Sequence, residues 1–196
     1  MSDYDHQKHL DKSRTDVRRK KSEMKDESQI KSLLHSAPFG HMASVHGSQP
    51  FLIPLIYVYV EEDHAVYFHG APVGRTRANI ELNPNVCFNV TRFGRVLLAD
   101  TISKFNIEYN SATIFGKASR IDEHKEKEQI LILLAEKFSP HFSYGEDYPK
   151  LSDDDIKTTA IFKIKIEEWS GKQNEEASDF KNAYTYPNFP KRESNK

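Results

Sequence analysis

The feature that most limits how this chain can fold is a succession of short apolar segments broken by turns, without any regular strand–helix rhythm. From Phe39 to Val45 the sequence reads as one strand, His46 to Pro50 as a turn, and Phe51 to Val60 as a second strand. An acidic tip at Glu61-Glu62-Asp63 leads to a third strand, Ala65 to His69, and the three are expected to form a meander. Gly70 to Gly74 is punctuated as a loop. Arg75 to Leu82 follows as a short helix that Asn83-Pro84 ends. Asn85 to Arg92, Arg95 to Ala99, Ala112 to Ile121 and Thr159 to Ile166 read as further strands. Two longer helices flank them. Ser22 to Ser36 carries an Ile30, Leu33, Leu34 stripe and stops at Pro38. Glu123 to Phe138 carries Ile130, Leu131, Leu133, Leu134 and Phe138, with Asp122 as its expected N-cap. This pattern predicts a mainly β protein: a small barrel of about six to seven antiparallel strands with helices at its periphery.

At 196 residues the chain is long enough for one domain with a real core. Residues 1–21 form a highly charged arm, either disordered or loosely docked. Residues 22–172 hold the apolar pattern, and 173–196 form a polar tail carrying Tyr184, Tyr186 and Phe189, either disordered or a strap over a neighbour. A formal net charge of −1 supplies no global attraction to nucleic acid. No apolar run approaches the ~20 residues of a membrane-spanning helix, and the N-terminus lacks the apolar stretch of a secretory signal. The single cysteine, Cys87, excludes an internal disulfide framework, reads as a core thiol, and fits a reducing cytoplasm.

The most informative stretch runs from His69 to Pro84. A strand ends in a glycine-bounded loop, and a helix then opens with Arg75 and Arg77 in its first turn. Cations there oppose the helix dipole, and a bound anion reverses that logic. Gly74 allows close backbone approach, the first N–H groups lack intrahelical acceptors, and the guanidiniums add charge-assisted bonds. The alternative is an ordinary solvent-facing helix with incidental arginines. Tyr109 and Ser111 stand in a polar stretch, Asn106 to Ser111, and are either ligand donors or turn residues bonding their own backbone. Pro54 inside a strand marks an edge, a bulge, or a place where a ligand takes the strand's side. No His-Glu-x-x-His spacing supports a metal site, and Asp153-Asp154-Asp155 beside Ser152 reads as a helix start. Rossmann and P-loop motifs are missing, as is the Gly-x-Ser-x-Gly elbow of a serine hydrolase.

Taken together these segments resemble the pyridoxamine 5'-phosphate oxidase-related FMN-binding split barrels, and within them the nitroimidazole-resistance (Nim-type) branch. The resemblance runs from about Thr15 to Lys172. It rests on Arg18-Arg19, Pro50-Phe-Leu-Ile-Pro54, Tyr67-Phe-His-Gly-Ala71, Gly74-Arg75 with Asn83-Pro84, Tyr109-Asn-Ser111 leading to Phe115-Gly116, and Trp169-Ser-Gly-Lys172. It implies a cytoplasmic homodimer with two FMN sites at the subunit interface. It also implies that Gly74, Arg75, Thr76 and Arg77 hold the phosphate, and that Ile53, Pro54 and Leu55 border the isoalloxazine. His69, Gly70 and Ala71 would lie beside the cofactor, with Tyr109, Ser111 and Lys172 completing the site, the first two from either subunit. Thr76 stands where many relatives carry Lys, and the C-terminal Arg/His motif of true pyridoxamine-phosphate oxidases is not evident after Trp169. The implied activity is therefore FMN-dependent reduction of a small acceptor, nitroaromatic compounds included, with His69 as substrate positioner or proton donor. A non-catalytic flavin-binding protein is the alternative, as is a related barrel holding haem or a deazaflavin.

Overall fold

In the computed structural model, which describes residues 5–188, β-structure dominates. The elements are α1 (Gln7–Leu10), β1 (Glu23–Met24), α2 (Glu27–Ser36), β2 (Gly40–His46), β3 (Gln49–Leu55), β4 (Val58–Val60) and β5 (Ala65–Gly70). They continue with α3 (Arg75–Leu82), β6 (Asn85–Leu97), β7 (Asn106–Ile121), α4 (His124–Phe138), α5 (Asp153–Thr158), β8 (Ala160–Asn174) and β9 (Ala183–Thr185). All the strands join one antiparallel sheet in the order β3-β2-β6-β7-β8-β5-β4, with β1 added to β8 and β9 to β6. Among the described residues no helix is long and apolar enough to cross a membrane.

The meander does not form. β3 pairs with β2 and β4 with β5, so consecutive strands lie at opposite ends of the sheet order. Only Ile56 and Tyr57 separate them, and three Cα steps span at most about 11 Å. The sheet must therefore curl until its ends nearly meet, which makes it a barrel split between β3 and β4. This also explains Pro54, which lies in an end strand with one partner, where a missing donor is tolerated.

The barrel is filled by Met42, Phe68, Phe88, Ile114, Phe162 and Ile164, and α2 plugs it with Ile30, Leu33 and Leu34. The Tyr57 hydroxyl donates to the Leu34 carbonyl at 2.7 Å, so the residue at the split is tied to the plug. β5 is buried on both faces. Val66 and Phe68 face the barrel core, while Ala65 and Tyr67 lie under Ile130 and Leu134 of α4. That double burial is why β5 reads as a continuous apolar run.

Several boundaries differ from the sequence reading. The strand count is nine among the described residues, because β1 and β9 are too short to show alternation. The two strands expected over residues 85–92 and 95–99 are one strand, β6, which ends at Leu97 and has a register shift between Phe93 and Val96. Asn106 to Ser111, expected as either ligand donors or turn residues ahead of a strand, is the first part of β7, and β8 runs on to Asn174. α2 begins at Glu27, capped by Asp26, whose carboxylate accepts from the Ser28 N–H at 2.9 Å. α4 is capped by Glu123 rather than Asp122, which pairs instead with Arg120 at 2.7 Å. The three aspartates do open a helix, α5, through a capping box between Ser152 and Asp155.

The arm packs at Val17, which is buried, and Arg14 lies over the Phe115 ring while pairing with Glu168 at 2.8 Å. In the tail, Ala183–Thr185 adds to β6, and Phe189 lies outside the described residues.

Candidate functional site

β5 ends at Gly70, and the chain turns through residues 71–74 into α3. Gly74 sits at the helix N-cap with φ 126° and ψ −178°, a conformation that side chains rarely adopt, although a Cβ there would meet open space. Backbone geometry is thus what requires glycine at this turn. The first intrahelical bond runs from the Ala78 N–H to the Gly74 carbonyl, so the N–H groups of Arg75, Thr76 and Arg77 have no acceptor within the helix.

α3 is anchored by Ile80 in the core and by a buried polar pair, the Asn79 amide donating to the Ser44 hydroxyl at 3.0 Å. Its two arginines behave differently. Arg77 is committed, its Nε donating to Glu81 at 2.7 Å and Nη1 to the Pro72 carbonyl at 2.6 Å. Arg75 is exposed and lies over the Phe51 ring at 4.9 Å from its centroid. Among the described residues no carboxylate pairs with it.

Between β3, the end of β5 and α3 lies a cleft of about 170 Å³. Its walls hold Ile53, Pro54, Leu55, His69, Gly70, Ala71, Gly74, Arg75 and Thr76, all expected from the sequence. Phe68, Val73 and Phe162 also line it and were not anticipated. Phe68 and Phe162 stack at 5.2 Å between centroids with planes 18° apart, forming an apolar floor under a polar mouth. Phe162 comes from β8, and the sequence signal available for it was only the alternation of that strand. His69 is exposed at the last paired position of β5 before Gly70.

Four expected residues do not line this cleft. Arg77 is turned to Glu81, as above. Tyr109, Ser111 and Lys172 stand on β7 and β8, where pairing sets Thr91, Ser111 and Lys172 in one row across three strands. A second row holds His41, Asn89, Thr113 and Ser170. The Asn89 amide donates to Ser111 at 3.1 Å and Thr113 at 2.9 Å, joining the rows into a polar platform on the outer face. Nearer the start of β7, Arg95 grips Glu108 through two bonds of 2.7 and 2.6 Å. That guanidinium holds the Glu108 carboxyl well below the usual range, at about 2.

The fold and the glycine–arginine turn define the class. Residues 26–173 match the family model described as pyridoxamine 5'-phosphate oxidase, and the chain belongs to that family. No curated protein sequence matches it. Among solved structures, the flavocytochrome Anf3 of Azotobacter vinelandii is similar at a TM-score of 0.72 and 20% identity, over 92% of this chain and 88% of that one. A FAD and heme binding protein of Mycobacterium smegmatis is similar at 0.71 and 20% identity, over 81% and 77%. A candidate 5-nitroimidazole antibiotic resistance protein of Bacteroides thetaiotaomicron is similar at 0.64 and 20% identity, over 78% and 90%. At these identities the likeness is one of fold.

Proposed function

We propose that the chain is a flavin-binding oxidoreductase that holds FMN in the cleft between β3, β5 and α3 and works as a homodimer on a small acceptor, nitroaromatic compounds included. The observation that carries this reading is the convergence at one mouth of an exposed arginine with no carboxylate partner among the described residues, helix N–H groups without intrahelical acceptors, and a positive-φ glycine. Those donors fit a terminal phosphate dianion. Family membership and neighbours named for flavin or FAD binding support a flavin as the ligand.

The bound flavin would supply the hydride and electron chemistry. The chain's residues have separate tasks. Arg75 and the first turn of α3 hold the phosphate. The β3 backbone at Ile53, Pro54 and Leu55 borders the ring edge, and the Phe68–Phe162 floor excludes water beneath it. His69, exposed at the rim, positions the acceptor or hands it a proton.

At about 170 Å³ the cleft is smaller than the ~300–1,000 Å³ of typical ligand pockets. A second copy is therefore assigned the remaining wall, with its polar platform of Tyr109, Ser111 and Lys172 as the complementary surface. The flavin-binding unit is assigned to residues 22–172, and the protein to the cytoplasm.

The test is the absorption spectrum of the purified protein, the mass of the released chromophore, and the mass of the assembly in solution. FMN on a dimer is expected. A colourless protein that takes up no added flavin would reject the reading, and a Soret band would redirect it to haem. Reoxidation of the reduced protein by a panel of nitroaromatic acceptors, compared with oxygen alone, separates an enzyme from a flavin carrier.

A further inference from the structure

We propose that Phe51 is a positioning residue for Arg75: its ring holds the guanidinium over the cleft mouth and leaves the N–H edges free for a terminal phosphate. The inference rests on the flavin reading above and adds a residue to it.

The geometry begins on β3. Phe51, Ile53 and Leu55 alternate along one face and are each partly buried, whereas Pro50, Leu52 and Pro54 are exposed. Ile53 and Leu55 line the cleft, so Phe51 continues its wall towards α3. Across the strand pair Phe51 stands opposite Ser44. Ser44 in turn accepts the buried bond from Asn79, which lies one helical turn after Arg75 on α3. Strand pairing and the Ser44–Asn79 bond thus fix where the ring and the start of the helix sit relative to each other.

The chemistry then favours a waiting cation. A guanidinium over an aromatic ring is attracted by the ring's quadrupole and spends no conventional hydrogen bond on it, so its N–H donors stay available. A carboxylate partner would consume those donors, as Glu81 and the Pro72 carbonyl consume those of Arg77 on the same helix. Among the described residues Arg75 has no such competitor. Phe51 therefore confines a long, flexible side chain without spending its hydrogen bonds, so that less ordering remains when an anion arrives.

The experiment measures dissociation constants for FMN and for riboflavin, which lacks the phosphate, by flavin fluorescence. It uses the wild type, Phe51→Leu, Phe51→Tyr, Arg75→Ala and the Phe51→Leu/Arg75→Ala double variant. Phe51→Leu is expected to weaken FMN about three- to tenfold and to leave riboflavin within about twofold. Phe51→Tyr should retain wild-type affinity for both, and Phe51→Leu should add nothing once Arg75 is gone. Phe51→Ile serves the same purpose if leucine unsettles the strand. Equal losses for both flavins, no loss for either, or additive losses in the double variant would overturn the role of Phe51 while leaving the flavin site intact. A wild type that binds neither flavin would overturn both.

Discussion

Arg75 rests on a phenylalanine ring with no carboxylate partner among the described residues, whereas Arg95 spends its guanidinium on both oxygens of Glu108 and on the carbonyls of Glu176, Ala177 and Ser178. The Glu108 carboxylate also accepts the Glu176 N–H at 3.0 Å, so this second cluster pins the start of the C-terminal tail to β6 and β7. Gly94 makes the approach possible, since a Cβ there would come within 2.8 Å of the Glu108 Cβ. An arginine whose nitrogens all donate to its own chain is a fastener. One seated over a ring spends no donor on it. On the proposed function the two sites separate binding from stability, and substitution should pull them apart.

The largest expected effect is on ligand retention. Arg75→Ala should weaken FMN by about tenfold or more, the loss expected for a charge-assisted phosphate pair, with the melting temperature unchanged. Arg95→Ala should do the reverse, keeping FMN affinity while lowering the melting temperature and exposing residues 175–178 to proteolysis. Titration calorimetry beside limited digestion reads both. If Arg95→Ala also lost FMN in proportion, the division between the two clusters would fail.

Asn79→Ala should come next. It leaves the buried Ser44 hydroxyl without its donor and loosens α3, costing about 1–3 kcal/mol in urea unfolding. It should also weaken FMN, because the helix that carries Arg75 moves.

The acid response should be smaller and belongs to the fastener. Glu108 titrates at about 2 in the folded protein against an ordinary value of 4.5, so its contribution is complete above 4.5 and is lost as pH falls towards 2. Glu108→Gln should be less stable at neutral pH and show a flatter stability profile across that window.

The smallest effect is expected at Lys137. Its Nζ is buried 3.8 Å over the Tyr57 ring with no hydrogen-bond partner among the described residues, and burial lowers its pKa from 10.5 to about 8. The folded state thus sheds this proton before the unfolded state does, and stability should rise as pH climbs from about 8 towards 10.5. Lys137→Met should be at least as stable at neutral pH and lack that rise, as thermal melts across the range would show.

The glycine–arginine turn was legible because its parts are neighbours in the chain. Gly74 must adopt its conformation wherever it lies, and residues 75–77 open a helix that Asn83-Pro84 closes. The apolar runs of β5 and α4 were legible for a similar reason, since their periodicity records which faces are buried. The helix caps were less so: Asp122 and Glu123 are both acidic, and only the backbone turn selects Glu123. The apparent meander misled because Phe51 to Val60 is one apolar run, and nothing local in it says that the chain crosses from one end of the sheet to the other.

The amino-acid order alone determined the mainly β class and the glycine–arginine turn, because those depend on local conformation and on contacts between neighbouring segments; most of the cleft's lining followed only from the family resemblance. Only the tertiary structure decided that β3 and β4 flank the barrel's split, that Phe162 floors the cleft, and that Arg77 turns away while Phe51 takes up Arg75. Those outcomes are set by strand register and by competition among donors brought together from distant parts of the chain.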